Sequence, residues 1–272
     1  MSPPNLSAPE ASEAGVASNA SPSQTLLPEG LLILMYHRVA WPPAGAQRGL
    51  YTTPDQFAGQ LAALTRAGAA FTTFSALAKG AVGAEGPPEA RGPGHPVILT
   101  FDDGTQDLYR HALPFLVRAR IPAVVYPVVG DLGKRGVVWP ENADPTPVDL
   151  LNEAELREMA TAGIEFGSHL MEHRRAPGLD AEALATQLSA SKTRLEALTG
   201  APCVSLAYPF GAYGEREVAA AHAAGYRYAV TTESGVCPPT AHPLRLPRVA
   251  VKGTRWHHPW RFRRRVLSLL RG

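Results

Sequence analysis

The sequence predicts an α/β fold in which parallel strands alternate with helices, as a sheet or as a (β/α) barrel. Short apolar runs alternate with helical patterns from Leu31 almost to the end of the chain, and repeated β-then-α units of this kind build parallel sheets. Several runs are apolar on both faces, as expected for strands that helices cover. The 272 residues are enough for one large α/β domain.

Eight segments have the length and the apolar character of strands, and Val97-Ile98-Leu99 is the clearest buried run. Right-handed crossovers between such strands place the connecting helices outside the sheet. The predicted strands are Leu31–Tyr36, Phe71–Thr73, Val97–Phe101, Ala123–Val129, Gly163–Gly167, Val204–Tyr208, Tyr226–Thr231 and Leu244–Val251.

Four helices are predicted between these strands from their capping signals. Thr53 is the N-cap of the first helix, and Asn152 followed by Glu155 makes a capping-box-like start for the second. The predicted helices run from about Pro54 to Ala67, from Asn152 to just before Gly163, from about Asp180 to Gly200, and from Arg216 to Ala224.

The chain divides into a tail, one folded domain and a basic end. Residues 1–28 are rich in Ser, Ala and Pro and predict a disordered N-terminal tail. Residues 29–255 carry the β/α alternation and predict a single domain, interrupted by surface loops at Gly80–Pro96 and Gly130–Pro147. Residues 256–272 predict a basic helix or tail, which either packs on the domain or contacts a membrane surface or an anionic glycan.

Composition excludes some classes of partner. Apolar residues make up 45% and charged residues 18%, which is typical of a globular protein. A net charge of +2 is too small to indicate a nucleic-acid partner. The sequence contains no apolar run of about 18 residues, so it predicts no membrane-spanning helix. The first 24 residues show neither the basic nor the apolar region of a secretory signal, so we expect a cytoplasmic protein.

Polar residues with catalytic potential follow four predicted strands. His37, Asp102 with Asp103, His169, and Pro209-Phe210-Gly211 each come directly after a strand. In α/β barrels the carboxyl ends of the strands form the catalytic face. Four such placements together are difficult to explain by solvation alone and predict one shared site.

The segment Thr100-Phe101-Asp102-Asp103-Gly104 places two adjacent carboxylates at the end of a buried strand. Adjacent carboxylates repel each other unless positive charge lies beside them, and a divalent cation supplies that charge. The alternative is that Asp102 or Asp103 caps the helix that follows.

The segment Ser168-His169-Leu170-Met171-Glu172-His173 places two histidines four residues apart, where both can reach one metal ion. Zinc held by two His and one carboxylate keeps a fourth position for water. A solvated pair of histidines has the same spacing. The segment also reads His-x-x-Glu-His, the pattern of one class of zinc peptidase, which requires a helix carrying all three residues.

These segments, together with Ala207-Tyr208-Pro209-Phe210-Gly211, resemble the polysaccharide deacetylases with NodB homology, carbohydrate esterase family four. The opening Met35-Tyr36-His37-Arg38-Val39 resembles the branch with the poly-N-acetylglucosamine deacetylases. The resemblance spans roughly Leu31 to Val251. It implies a distorted (β/α)7 barrel, so that residues 29–255 would be the catalytic domain.

The resemblance also implies roles for individual residues. Asp102 would be the general base, His37 the general acid, and the backbone N–H of Tyr208 a donor to the oxyanion. The implied cofactor is a divalent metal, with Zn2+ as the default and Co2+ or Ni2+ as alternatives. The implied metal ligands are Asp103, His169 and His173.

The sequence departs from the family at Ala207, where many members have an arginine that orients the catalytic carboxylate. We hypothesise that Arg248 occupies this place, the alternative being a surface-exposed arginine. Candidate substrate contacts are Pro209, Phe210, Trp139 and Tyr213, with ordinary packing as the alternative for Trp139 and Tyr213.

The predicted function is therefore hydrolysis of an N-acetyl group on a sugar, in a polysaccharide, an oligosaccharide or a sugar intermediate, with release of acetate. Two alternatives come from other classes. One is a glycan-binding protein without catalysis on the same fold, and the other is a zinc peptidase that uses His169, Glu172 and His173.

Overall fold

The computed structural model describes residues 27–81, 94–142, 144–253 and 259–270. Residues 1–26, most of the Gly80–Pro96 loop and His257-His258 lie outside the described residues, so the predicted boundaries at 28 and 256 stay predictions. Among the described helices, none combines the length and the hydropathy that crossing a bilayer requires.

Ten strands and seven α-helices alternate along the described chain. The strands are β1 Leu32–Tyr36, β2 Arg38–Val39, β3 Tyr51–Thr52, β4 Ala69–Phe71, β5 His95–Asp103, β6 Val124–Pro127, β7 Glu165–Phe166, β8 Ser205–Ala207, β9 Tyr228–Val230 and β10 Val249–Ala250. The helices are α1 Pro54–Arg66, α2 Phe74–Ala78, α3 Leu113–Ala119, α4 Glu153–Thr161, α5 Ala181–Thr199, α6 Glu215–Ala223 and α7 Pro259–Leu270.

The predicted capping signals start the helices where expected. The Thr53 side chain and Gln56 form a full capping box at the start of α1, and Asn152 and Glu155 do the same for α4. Asp180 caps α5 through the backbone N–H of Ala183, and Gly200 ends it in the left-handed conformation at φ 68°. These local interactions explain why helix starts could be read from the sequence.

Seven strands follow one another in a ring, which confirms the predicted distorted (β/α)7 fold. One parallel sheet has the order β10-β1-β5-β6-β7, and a second ladder joins β8 to β9. Two isolated parallel bridges link these ladders, Ser168 with Leu206 and Val230 with Leu246. The ring is thus continuous but has two sparse seams, one beside β8 and one beside β9.

The interior of the ring and the space under the helices are apolar. All five residues of β1 are buried, and so are the last eight of β5. The helices add buried leucines at helical spacing, for example Leu184, Leu188 and Leu195 on α5. The buried central pair of strands, β1 and β5, precedes the polar residues His37, Asp102 and Asp103.

Four elements differ from the sequence predictions. The second predicted strand, Phe71–Thr73, begins two residues earlier because Gly68 ends α1 directly before it, and Thr73 caps α2 instead. A π-helical turn, Leu108–Ala112, and α3 were not predicted; Pro114 in the first turn of α3 interrupts the periodic pattern there. Of the predicted strand Leu244–Val251, only β10 forms a ladder.

Candidate metal centre and active site

The four predicted motifs meet in one pocket at the carboxyl ends of the strands. His37 follows β1, Asp102 and Asp103 end β5, and the 168–173 segment follows β7. The pocket is lined by His37, Gln47, Leu50, Asp102, Asp103, Glu141, Asn142, Asp144, His169, His173, Arg175, Tyr208, Phe210 and Thr232. The prediction of a single shared site at this face is therefore matched by the geometry.

Asp103, His169 and His173 form a buried cluster of metal-ligand type. One ligand atom from each lies within 4.8 Å of the others. Asp103 Oδ1 is 3.7 Å from His169 Nε2 and 3.5 Å from His173 Nε2. Two ligands on 2.0–2.1 Å bonds to one tetrahedral zinc ion stand about 3.3 Å apart. The donor set and its spacing thus fit a single divalent ion.

Both histidines are held in the neutral form that a metal requires. Burial lowers the pKa of His169 to about 4, and burial also lowers the pKa of His173 to about 4, with His37 adding repulsion. Because a carbonyl only accepts, the 2.8 Å contact of His169 Nδ1 with the Ala207 carbonyl puts the proton on Nδ1. The Nε2 lone pair then faces Asp103.

The backbone at the centre is strained in three places. Asp103, Leu170 and Phe210 have positive φ angles of 70°, 64° and 59°. Each such residue costs roughly 1–3 kcal/mol, and such conformations cluster at functional sites. Gly104, next to Asp103, also has a positive φ and lies so close to Pro127 that a Cβ would stand 2.6 Å from its Cα. A glycine is required there.

Arg248 lies where the hypothesis placed it. Its Nη1 and Nη2 donate to the two carboxylate oxygens of Asp102, each at 2.7 Å. The same guanidinium donates to Thr100 Oγ1 and to the Thr231 carbonyl. Burial opposes ionisation of Asp102, but the charge and hydrogen bonds of Arg248 outweigh it and lower the pKa to about 2. The alternative of a surface arginine is wrong.

Of the predicted roles in the motif at residues 207–211, which follows β8, the geometry matches some and not others. Phe210 lines the pocket, and its ring lies 4.4 Å from that of His173. Pro209 is buried. The Tyr208 N–H donates to the Val230 carbonyl over 3.3 Å, so it is already engaged in the β8–β9 ladder rather than free for an oxyanion.

Trp139 and Tyr213 take packing roles in this structure. Trp139 is only 7% exposed, its indole N–H donates to Asp131, and its ring lies 4.5 Å from that of His173. Tyr213 stacks on Tyr208 and donates to Glu233. Neither side chain is among the described residues that line the pocket, and the predicted sugar contact of both stays a prediction.

The peptidase arrangement is not formed. The segment 168–173 contains no helix, because Leu170 has a positive φ. Glu172 points to solvent and forms an ion pair with Arg174 at 3.7 Å. A general base for a peptidase would have to face the metal position, and Glu172 does not.

The sequence reasoning missed several residues of the pocket wall. Glu141, Asn142 and Asp144 line it from the long loop after β6, and Thr232 lines it after β9. The loop was predicted, but no local pattern showed that its tip covers the site.

Comparisons with known proteins agree with this geometry. A family model described as polysaccharide deacetylase matches residues 89–229. YxkH of Bacillus subtilis (strain 168), which is assigned by name to the polysaccharide deacetylases, is 29% identical over 155 residues, which are 57% of this chain and 51% of that protein. The poly-beta-1,6-N-acetyl-D-glucosamine N-deacetylase of Staphylococcus aureus (strain MSSA476) is 24% identical over 175 residues, 61% of this chain and 58% of that one.

Solved structures show the same fold. The Streptococcus pyogenes deacetylase PplD in complex with acetate has a TM-score of 0.71 at 22% identity, with 88% of this chain and 97% of that chain covered. IcaB from Ammonifex degensii has a TM-score of 0.69 at 23% identity, with 91% and 99% covered. The matched region spans only half to three fifths of the two curated relatives by length.

Proposed function

The chain belongs to the polysaccharide deacetylase family, and we propose that it hydrolyses the acetamide bond of an N-acetylated sugar and releases acetate. The observation that carries this proposal is the pairing of two features in one pocket. One is the buried Asp103, His169 and His173 cluster, and the other is the adjacent Asp102 carboxylate held by Arg248.

The residues of the pocket divide the chemistry among them. Asp102 is ionised at neutral pH because the charge and hydrogen bonds of Arg248 lower its pKa. The Asp102 carboxylate can therefore take the proton of the attacking water. His37, half-buried at the end of β1, gives a proton to the leaving nitrogen. Water attacks directly in this scheme, and no side chain forms a covalent intermediate.

A divalent metal held by Asp103, His169 and His173 would polarise the acetamide carbonyl and acidify a water ligand. Two neutral imidazoles and one carboxylate leave a positive charge at that position, which favours the developing oxyanion. We propose Zn2+ as the resident ion, with Co2+ and Ni2+ able to substitute.

Acetate release from N-acetylglucosamine oligomers tests the proposal, measured with metal added, with metal chelated, and with Asp102→Asn. We expect release that depends on metal and falls by about 10²–10⁴-fold in Asp102→Asn. Asp149→Asn, which removes a surface carboxylate paired with Arg135, is the control and retains activity. Retained release in Asp102→Asn would contradict the mechanism.

A glycan-binding protein without catalysis remains the second candidate function. It shares the fold and the pocket, and it predicts oligomer binding with no acetate release from any substrate. An ion-paired base beside a complete ligand set favours the enzyme, because binding alone requires neither.

The cytoplasmic location and the contact of the basic C-terminus with a membrane surface also stay predictions. Cell fractionation checks the first. Co-sedimentation with vesicles checks the second.

A further inference from the structure

A basic groove lies beside the active-site pocket, where α7 crosses the end of β10. Its lining consists of Thr232, Ser234, Val249, Ala250, Lys252, Arg261 and Arg265. Thr232 lines both the groove and the active-site pocket. The pocket and the groove are therefore adjacent, with Thr232 between them.

The two arginines of the groove are positioned by the packing of α7. Phe262 and Val266 on α7 are 0% and 1% exposed and belong to the main core. They fix the rotation of the helix, so that Arg261 and Arg265, four residues apart, stand on one flank. Arg263 and Arg264 line a different surface depression, together with Trp260 and Leu267.

The positive charge of the groove is uncompensated within the described residues. In the part of the chain described, no carboxylate lines the groove and none forms an ion pair with Lys252, Arg261 or Arg265. The Arg261 guanidinium lies over the Trp260 ring at 5.3 Å, which leaves its charge without a counterion. Glu233, between Thr232 and Ser234, accepts a hydrogen bond from Tyr213. Like charges four residues apart repel each other on a helix, and an anion bound between Arg261 and Arg265 relieves that repulsion.

The lining suits one chemical class of ligand. Arginine and lysine donors together with hydroxyl donors match a phosphate group, because guanidinium forks bind phosphate oxygens in pairs. The active-site pocket differs, because Arg175, the arginine among its described lining residues, is paired with Glu141. Its carboxylates Asp102 and Asp144 are paired with Arg248 and Arg38. A substrate that spans both would be neutral at the acetamido sugar and anionic next to it.

We propose that the basic groove binds a phosphate carried by the substrate, next to the N-acetylated sugar in the pocket. This inference rests on the proposed deacetylase function and narrows its substrate class to sugar phosphates and phosphate-containing glycans. The groove then contributes binding energy away from the reacting bond and positions the acetamide over Asp102.

The test compares two substrates that differ only in charge, a neutral N-acetylglucosamine oligomer and the same oligomer with a phosphate at its reducing end. We expect kcat/KM to be at least about tenfold higher for the phosphorylated oligomer at low salt, as for hydrogen bonds to a charged group. The double variant Arg261→Gln with Arg265→Gln abolishes this preference and leaves the neutral oligomer unaffected.

The matched control removes the same charge from the other side of the same helix. If the groove binds phosphate, the double variant Arg263→Gln with Arg264→Gln retains the preference for the phosphorylated oligomer. If the preference comes from the net positive charge of the helix, this variant loses it as much as Arg261→Gln with Arg265→Gln does. No preference in the wild-type protein, or equal losses in the two double variants, overturns the inference.

Direct binding separates this inference from the proposed function. If the wild-type protein releases no acetate, deacetylation fails, while binding of the phosphorylated oligomer by titration calorimetry still decides whether the groove holds phosphate. The last experiment measures binding of the protein to vesicles of phosphatidylglycerol and to vesicles of phosphatidylcholine. Binding to the anionic vesicles that depends equally on all four arginines assigns the charge to a membrane surface and overturns the substrate site.

Discussion

At the residue scale, the catalytic carboxylate depends on a partner that is 146 positions away in the chain. Asp102 and Arg248 share two buried hydrogen bonds, and the Arg248 side chain is 0% exposed. Removal of one member of such a pair leaves a buried charge without compensation. Asp102 needs Arg248 for ionisation and for orientation.

Arg248→Ala should therefore lower both activity and stability. We expect acetate release to fall by about 10²-fold, in line with the contribution of a general base, and the free energy of unfolding to fall by about 3–5 kcal/mol. Arg245→Ala is the matched control, because Arg245 forms an ion pair with Glu215 at the surface and should change stability by less than about 1 kcal/mol. Steady-state kinetics and urea denaturation measure the two effects.

The metal ligands give the second prediction at this scale. Asp103→Ala should abolish binding of zinc, measured by metal content after dialysis, because it removes the only carboxylate of the described ligand cluster. Glu172→Ala should retain zinc and activity, since Glu172 faces solvent. The opposite pattern, zinc retained in Asp103→Ala and activity lost in Glu172→Ala, would restore the peptidase alternative.

Site residues could be predicted from the sequence where they lie in compact motifs, but not where they depend on contacts between distant segments. Asp102, Asp103, His169 and His173 come in compact motifs at strand ends, and the structure brings them together as expected. Asp144 lies in an irregular loop and pairs with Arg38, 106 positions away, at 3.7 Å. No local pattern encodes such a contact.

At the element scale, the loop between β6 and α4 connects the pocket wall to a metal ligand. Its arms pair through Val137 and Val148, whose N–H and carbonyl groups exchange hydrogen bonds of 2.8 and 2.9 Å. Trp139 is fixed by Asp131 and packs on the His173 ring. His173 Nδ1 has no hydrogen-bond partner among the described residues, so packing orients this ring.

Trp139→Ala should consequently weaken zinc binding by about 10–100-fold, the effect typical of removing support from a metal-bound histidine. Trp139→Phe keeps most of the packing surface and should recover most of the affinity. Competition with a chromophoric chelator measures this affinity independently of activity. Trp41→Ala is the control, because Trp41 is 60% exposed and contacts His111. Unchanged zinc affinity in Trp139→Ala would exclude the supporting role.

At the scale of the whole molecule, single strands and helices were predictable from local patterns, whereas the barrel was expected only from the family resemblance. Local sequence patterns predicted the apolar runs of β1 and β5. They also predicted the N-caps of α1, α4 and α5. The seams beside β8 and β9 depend on single bridges between segments far apart in the chain. Their strands are short, three residues each, and periodicity over three residues is weak.

The seam beside β8 makes a final prediction possible, because Gly167 is enclosed there. A Cβ at Gly167 would stand 2.2 Å from a Tyr126 ring carbon and 2.6 Å from Ser205 Oγ. Gly167→Ala should therefore separate β7 from β8, lower the free energy of unfolding by about 1–3 kcal/mol, and weaken zinc binding, since His169 follows two residues later.

Gly178→Ala is the control, because a Cβ there meets no described atom within 4 Å, and it should change stability by less than about 0.5 kcal/mol. Urea denaturation at saturating zinc, with zinc affinity measured separately, distinguishes a weakened seam from a lost metal. Equal stability of the two variants would mean that the seam does not limit the barrel.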